Sequence, residues 1–475
     1  MARINTNVSA IVAQRHLAGA YRNLNTTIQR LSSGLRITRG ADDPSGLIQS
    51  ERLRAEISAT GQAIANTQRA STIIATTEGA LDEIARLLTD VQDLIVEAAN
   101  SGALSEDEIR ANQLQVDSAI ASITRIANST TFAGRQLLNG SLDYVTSGVD
   151  NTQIDALYIH GVQFGTRPYV PVTIDVTTSA QPAILLYPYG SVTSTVSIEI
   201  QGNAGVTTLQ FVSGTTASAM VAAINAVSDA TGVVATLSAT ATSGFTLESA
   251  GLGSRQFVQV RELPGSGSFA TTDTSGNGVP RDEGRDAVAL INGALSLGDG
   301  NNLTIKTASL DMQVELDPTF GAGTTSFAIT QGGALFQVGP EVNSNLQVNI
   351  GVRSVSASRL GNSALGFLSQ VESGGPYSLI AGETPQAQQI VEEAIRQVAV
   401  LRGRLGAFEK NTLDTNVNQL GITMENLMAA ESNIRDADFA QETSELTRSQ
   451  IMVNAGTSVL ALAQQTPQSI LRLLG

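Results

Sequence analysis

Residues 31–57 read LSSGLRITRGADDPSGLIQSERLRAEI. Helical patterns lead into and out of this stretch, and a Gly-Ala-Asp-Asp-Pro turn separates them. Whether it is a loop that does chemistry or a joint between long helices decides the fold. The flanks favour a joint. Upstream, Leu17, Tyr21, Leu24, Ile28, Leu31 and Leu35 step by four and three, and Ile4, Val8 and Ile11 do so earlier. That is a coiled-coil seam. Downstream, Ile74, Leu81, Leu88 and Ile95 recur every seven residues, with Ile84 and Val91 between them. Inside the turn, Gly34 and Gly40 loosen the first helix, Asp43 is placed to cap the next, and Pro44 to begin it.

Moving outward, Asn100-Ser101-Gly102 stops the second helix, and the capping box SEDE (105–108) opens a third. Ile109, Val116, Ile120 and Ile123 carry that helix toward an Asn139-Gly140 stop. The far end of the chain mirrors the near one. Thr384 caps a helix with Pro385 in its first turn; Leu413, Val417, Leu420, Met424, Leu427 and Ile434 form a seam. Leu446, Val453 and Leu460 keep a spacing of seven almost to the end. Residues 1–41 hold six arginines and no acid, whereas residues 431–475 hold five acids against three arginines. Complementary charge on two apolar-striped ends predicts that they pair with each other and with further copies.

Between about 141 and 383, Gly, Ser, Thr and Val dominate. TVSIEIQGNAGVTTLQFV (195–212) alternates apolar and polar residues around a Gly-Asn turn, a hairpin signal. VAAIN (221–225) and VALIN (288–292) read as short helices in a repeated strand–helix–strand unit. The expected fold class is mainly α, with long coiled-coil-like helices from both termini and an inserted β-rich α+β outer region.

Composition narrows the function. The chain has 475 residues, 42% hydrophobic and 15% charged, with no cysteine and no tryptophan. Thiolate chemistry and disulfides are excluded. A net charge of −15 argues against nucleic acid as a partner. No run of 18 apolar residues offers a membrane insertion, and the start lacks the apolar stretch of a cleavable signal peptide. The two histidines, His16 and His160, form no HExxH pair, and no Gly-Lys pair makes a P-loop. DTSGNGVPRDEG (273–284) imitates a calcium loop but has Gly284 where the bidentate Glu belongs, so a plain polar loop is expected. GLGSRQ and GSGSFA read as surface turns, and Phe132, Phe408 and Phe439 as packing anchors. No enzyme, cofactor or metal site is expected.

LSSGLRITRGADDPSGL, the run AIANTQRASTIIATTEGALDEIARLLTDVQDLIVEAAN, LGAFEKNTLD, ENLMAAESNIRDADFAQETSELTR and LALAQQTPQSILRLLG together resemble bacterial flagellin. The likeness spans about the first 140 and last 90 residues. It implies three domains: residues 1–43 plus 434–475 as a helical inner tube, 44–175 plus 341–433 as a rod with a small β-hairpin in the outer tube, and 176–340 as a variable surface insertion. It implies a helical homopolymer of the secreted, extracellular bacterial flagellum, serving swimming motility and exported unfolded by the flagellar type III apparatus. Inner-tube packing would rest on the seam residues 17–35 together with Leu446, Val453 and Leu460. Arg36, Arg39, Asp42 and Asp43 would pair between subunits at the joint. An export chaperone would hold Leu460, Leu462, Ile470 and Leu474, and filament cap and hook-junction proteins would be further partners. Flagellins sensed by the animal innate receptor carry arginine where this chain has Asp90; Leu94 is kept, and Gln115 replaces an acid, so weak sensing is expected. The nearest alternatives are a hook–filament junction protein and a filament protein whose insertion is also an adhesin.

Overall fold

The computed structural model describes residues 6–100, 102–238, 244–264 and 267–474, with side chains followed through 465. Ile4, Ser101 and the side chains of Ile470 and Leu474 lie outside the described residues. The chain divides into two compact units. One comprises 1–70, 337–342 and 410–475; the other comprises 71–336 and 343–409.

The first unit is helical: α1 (Val8–Ser33), the opening stretch of α2 (Pro44–Ala98), and two helices near the C-terminus. Asn7 caps α1 by accepting the Ala10 N–H, and Gly34, at φ 72°, ends it by donating to the Arg30 carbonyl. That left-handed backbone is why glycine stands here. Asp43 caps α2, accepting the Gly46 N–H at 2.9 Å.

Most of the expected strand–helix alternation in the second unit is β. It also holds the rest of α2, α3 (Glu106–Ser129), α4 (Ala217–Asn225), the single turn α5 (Ser228–Thr231) and α6 (Thr384–Phe408). On α2, Ile74, Leu81, Ile84, Leu88, Val91 and Ile95 are buried. Arg402 of α6 meets Asp82 of α2 at 2.9 Å, and Glu409 accepts from Ser71. The two helices therefore run antiparallel. The Ser105–Glu108 capping box opens α3 as expected. However, α3 stops at Ser129, not at Asn139-Gly140, because Thr131–Phe132 and Arg135–Gln136 form a small hairpin. Its tight turn is Ala133-Gly134, both at positive φ. At α6, Glu383 occupies the cap and Thr384 is already helical.

The β region has two lobes. In one, a five-stranded sheet in the order Ala294–Leu295, Val288–Ile291, Val170–Thr178, Gly323–Gly332, Tyr144–Ser147 shares a core with a four-stranded sheet ending on Ile154–Val162. In the other, Val196–Gln201 pairs with Val206–Phe211, as the hairpin pattern predicts, and α4 packs beneath. The expected second short helix needs correction. VALIN is the strand Val288–Ile291, not a helix: Asn292 and Gly293 both take positive φ and turn it into Ala294–Leu295. The repeated strand–helix–strand unit therefore does not exist. The boundary at 175/176 falls inside the strand Val170–Thr178, and residues 144–175 pair with strands from 288–332.

Candidate assembly surface

The two ends of the chain meet in the first unit. Glu409–Asp414 forms a π-helical turn ahead of α7 (Thr415–Arg435), and α8 (Phe439–Leu474) follows. α8 runs antiparallel to α1: Asn7 Nδ2 donates to the Ala463 carbonyl at 2.7 Å, and Arg30 meets Glu442 at 3.2 Å. The inward side of α1 carries Ala13, Leu17, Ala20, Leu24, Thr27 and Leu31; that of α8 carries Glu442, Leu446, Ser449, Val453, Gly456 and Leu460. Large and small residues alternate along α1 and, from Leu446 onward, along α8. A Cβ at Gly456 would lie 3.0 Å from Leu17 Cδ1, so the missing side chain makes room for that leucine.

Within one chain the seam uses part of the expected set. Leu17, Leu24 and Leu31 turn toward α8, but Tyr21 and Ile28 are 46% and 47% exposed, and Leu35 lies beyond the helix. Small residues between the leucines complete the contact. A purely apolar reading of spacing passes over Ala13, and it passes over Ala20 and Thr27 in favour of Tyr21 and Ile28, one position on. Outside the seam, Val8, Ile11 and Val12 of α1 and Ile451, Met452, Val459 and Leu462 of α8 are also exposed. Several of these border an apolar groove of 490 Å³, along with His16.

At the joint, Leu35 and Asp436 form an antiparallel bridge, with Arg36 N–H donating to the Arg435 carbonyl at 2.7 Å. Ile37 is 1% exposed beneath it. Asp42 accepts from the Thr38 hydroxyl at 2.9 Å and from the Thr38 and Arg39 N–H groups. Those bonds, the hydroxyl's first, hold its carboxyl below the ordinary value. With Asp43 spent on its cap, both acids serve their own chain. Arg36 donates to the Ile434 carbonyl at 2.6 Å and Arg39 to Gln29 at 3.2 Å; neither makes a direct ion pair among the described residues, though Arg39 acts electrostatically on Asp42. The joint's internal ion pair is one that spacing did not reveal: Arg435 to Glu51 at 2.9 Å, with Arg435 largely buried.

Other expected residues lie apart. Leu460 is half-buried on the seam while Leu462 is exposed. Asp90 and Gln115 are exposed and Leu94 is half-buried on the second unit. The ring centroids of Phe408 and Phe336 stand 6.5 Å apart, but Phe439 is 70% exposed. The Asp273 carboxylate accepts from Ser275 N–H, Asn277 N–H and Asn277 Nδ2, so the loop itself uses the oxygens a cation would need. Among the described residues no group of three or more His, Asp or Glu could hold a metal.

Chain ends that pair as one antiparallel hairpin, with apolar side chains left uncovered, define a structural protein of the coiled-coil class. Comparison with known proteins makes this specific. Residues 4–143 match the bacterial flagellin N-terminal helical region, 388–474 the bacterial flagellin C-terminal helical region, and 197–251 the flagellin hook IN motif. A flagellin of Salmonella rubislaw is 30% identical, and flagellin A of Helicobacter pylori 28%, each over 99% of both chains. A hook-associated protein-3 from Legionella pneumophila aligns at 14% identity and a TM-score of 0.32, over 81% of this chain and 98% of that one. The flagellar cap protein of Escherichia coli aligns at 18% and 0.29, over 47% and 64%. The chain belongs to the bacterial flagellin family. It is a structural subunit of the extracellular flagellar filament, and no described helix is long and apolar enough to cross a membrane.

Proposed function

We propose that the filament forms when copies of the α1–α8 pair cover one another's exposed stripes, and that the chain reaches the filament tip unfolded through the flagellar type III apparatus. The observation that carries this reading is the set of uncovered apolar side chains on α1 and α8: Val8, Ile11, Val12, Tyr21, Ile28, Ile451, Met452, Val459 and Leu462. Burying what remains exposed on them would contribute roughly 8–15 kcal/mol per subunit. Association costs about 4–15 kcal/mol. One neighbour therefore roughly breaks even, and several neighbours win, which is the arithmetic of a lattice rather than a dimer. Arg36 and Arg39 then reach acids of adjacent subunits, while Asp42 and Asp43 hold their own turn.

Leu460 cannot face α1 and a chaperone at once. A cytoplasmic export chaperone on Leu460, Leu462, Ile470 and Leu474 therefore holds α8 away from α1 until export. The filament cap and hook-junction proteins are the assembly partners at the two ends of the filament. Asp90, exposed on α2, opposes recognition by the innate receptor. A role at the hook–filament junction is the competing reading; full-length similarity to flagellins favours the filament.

Removing residues 1–33 and 439–475 tests the proposal. The expected product is a folded, soluble chain that never sediments as filaments. Tubes of normal diameter from the truncated chain would sink it.

A further inference from the structure

In the second unit, the strand Ile154–Val162, residues 353–360 and α6 surround a cavity of 80 Å³. Arg353, Arg359, Arg396 and Arg404 line it with Tyr158 and His160, and no carboxylate is among the lining residues. The chain has only 28 basic residues against 43 acidic ones, so four guanidinium groups around one cavity are a marked local reversal of its charge. Like charges gathered in this way repel, and the repulsion is stronger away from bulk water.

Internal partners offset only part of it. Arg396 forks onto Glu393, at 2.7 and 2.5 Å. The Arg353 guanidinium lies 4.3 Å from the centre of the Tyr158 ring. Arg404 donates to the His160 carbonyl at 3.5 Å. Among the described residues, neither Arg353 nor Arg359 has an ion pair. Asp143 acts electrostatically on Arg353, Arg359 and Arg404, and Asp311 on Arg404, so part of the positive charge is offset from outside, but neither carboxylate lines the cavity. His160 Nδ1 is buried with no hydrogen-bond partner. Burial, helped by Arg404, Arg353 and Lys306, pushes this ring down to about 3, so at neutral pH it is uncharged and one ring nitrogen carries a proton.

We propose that this cavity binds a small tetrahedral oxyanion of the phosphate or sulfate class, held by Arg353, Arg359 and Arg404, with His160 Nδ1–H as a neutral donor. The space exceeds the roughly 10–15 Å³ that a single water needs. Guanidinium groups arriving from separate segments suit an anion with several oxygens; a lone carboxylate is satisfied by one fork. The site is independent of the polymerisation reading, since none of its lining residues belongs to α1 or α8.

Calorimetric titration of the full-length monomer with inorganic phosphate, at ionic strength fixed with sodium chloride, tests the proposal. Saturable one-site binding is expected, with sulfate competing and the His160 ring nitrogens shifting in ¹⁵N spectra. Arg404→Gln is expected to weaken binding most. Arg359→Gln, at an exposed side chain, is the safer variant and is expected to weaken it roughly tenfold. Heats that do not saturate, or that chloride reproduces, overturn the proposal. So does unchanged affinity in the folded Arg359→Gln chain.

Discussion

The α1–α8 pair and the lobe around Phe245 are both built from apolar patterns, yet they finish differently. In the lobe, Ile198, Ile200, Met220, Ile224, Phe245 and Leu247 are all essentially sealed from solvent. Strands of two sheets, α4 and loop residues such as Val192 and Phe269 together enclose that core. In the pair, only Ala13 and Thr27 of α1 and Glu442, Ser449 and Val453 of α8 are buried among the described side chains. Two helices give each other one face. The other faces keep Tyr21, Ile28, Ile451 and Val459 in water. A region that completes its core within one chain folds by itself, whereas a region that stops halfway is stabilised by neighbours.

The sharpest way to break this contrast is to damage the self-sufficient side. Phe245 is 1% exposed, with ring centroids of Tyr187 and Phe269 at 5.2 and 6.3 Å. Phe245→Ala is expected to destabilise the lobe by about 3–5 kcal/mol, the usual range for a deleted core ring. Denaturant melts followed by near-ultraviolet dichroism would report it, and filaments are still expected to form below the melting transition. Loss of filaments in step with loss of the lobe would mean that the two regions are not separate in energy.

How much was legible in the sequence follows the same divide. The long helices, the Ser105 box, the Asp43–Pro44 start of α2 and the hairpin at 195–212 could be read because each has a local cause: a cap, a period or a turn. The second short helix could not. VALIN has the apolar content of α4, but Asn292-Gly293 turns the chain at once, and pairing with Val170–Thr178 overrides helical preference. On the candidate surface, the spacing of seven located Leu17, Leu24, Leu446 and Val453. It missed the small residues between them, because nothing in an alanine, threonine or glycine announces that a partner's leucine sits opposite. Charge asymmetry foretold that the ends attract. It did not single out Arg30 with Glu442 or Arg435 with Glu51, which depend on where α1 and α7 stop and where α8 and α2 begin.

Glu442 offers a middle-sized test. Its side chain is 10% exposed against 31% for Arg30, and Arg30 Nε is already buried without a partner. Glu442→Ala leaves that guanidinium facing the seam unpaired, at an expected cost of roughly 1–3 kcal/mol. Glu442→Gln keeps the shape and a hydrogen-bond acceptor and is expected to cost less. A double-mutant cycle with Arg30→Met isolates the pair. Coupling below about 0.5 kcal/mol would class it with solvated surface pairs and make the seam's charge complementarity incidental.

Leu17→Ala asks for the smallest change in the monomer and the most telling difference between states. Leu17 is half-buried, lying against the gap left at Gly456. Truncating it removes contacts on one side only, so the isolated chain is expected to lose about 1 kcal/mol, well under the loss at Phe245. In the filament the same side chain borders the apolar groove shared by Val12, Met452 and Val459, which neighbouring copies are proposed to close. There its full burial is at stake in every subunit. The critical concentration for polymerisation is therefore expected to rise about tenfold or more, since each 1.4 kcal/mol of subunit contact is a factor of ten. The ratio of the two effects is the informative quantity. Equal losses in monomer and filament would mean that the groove stays open after assembly, and that the half-finished core of the helical pair is completed by something other than its own copies.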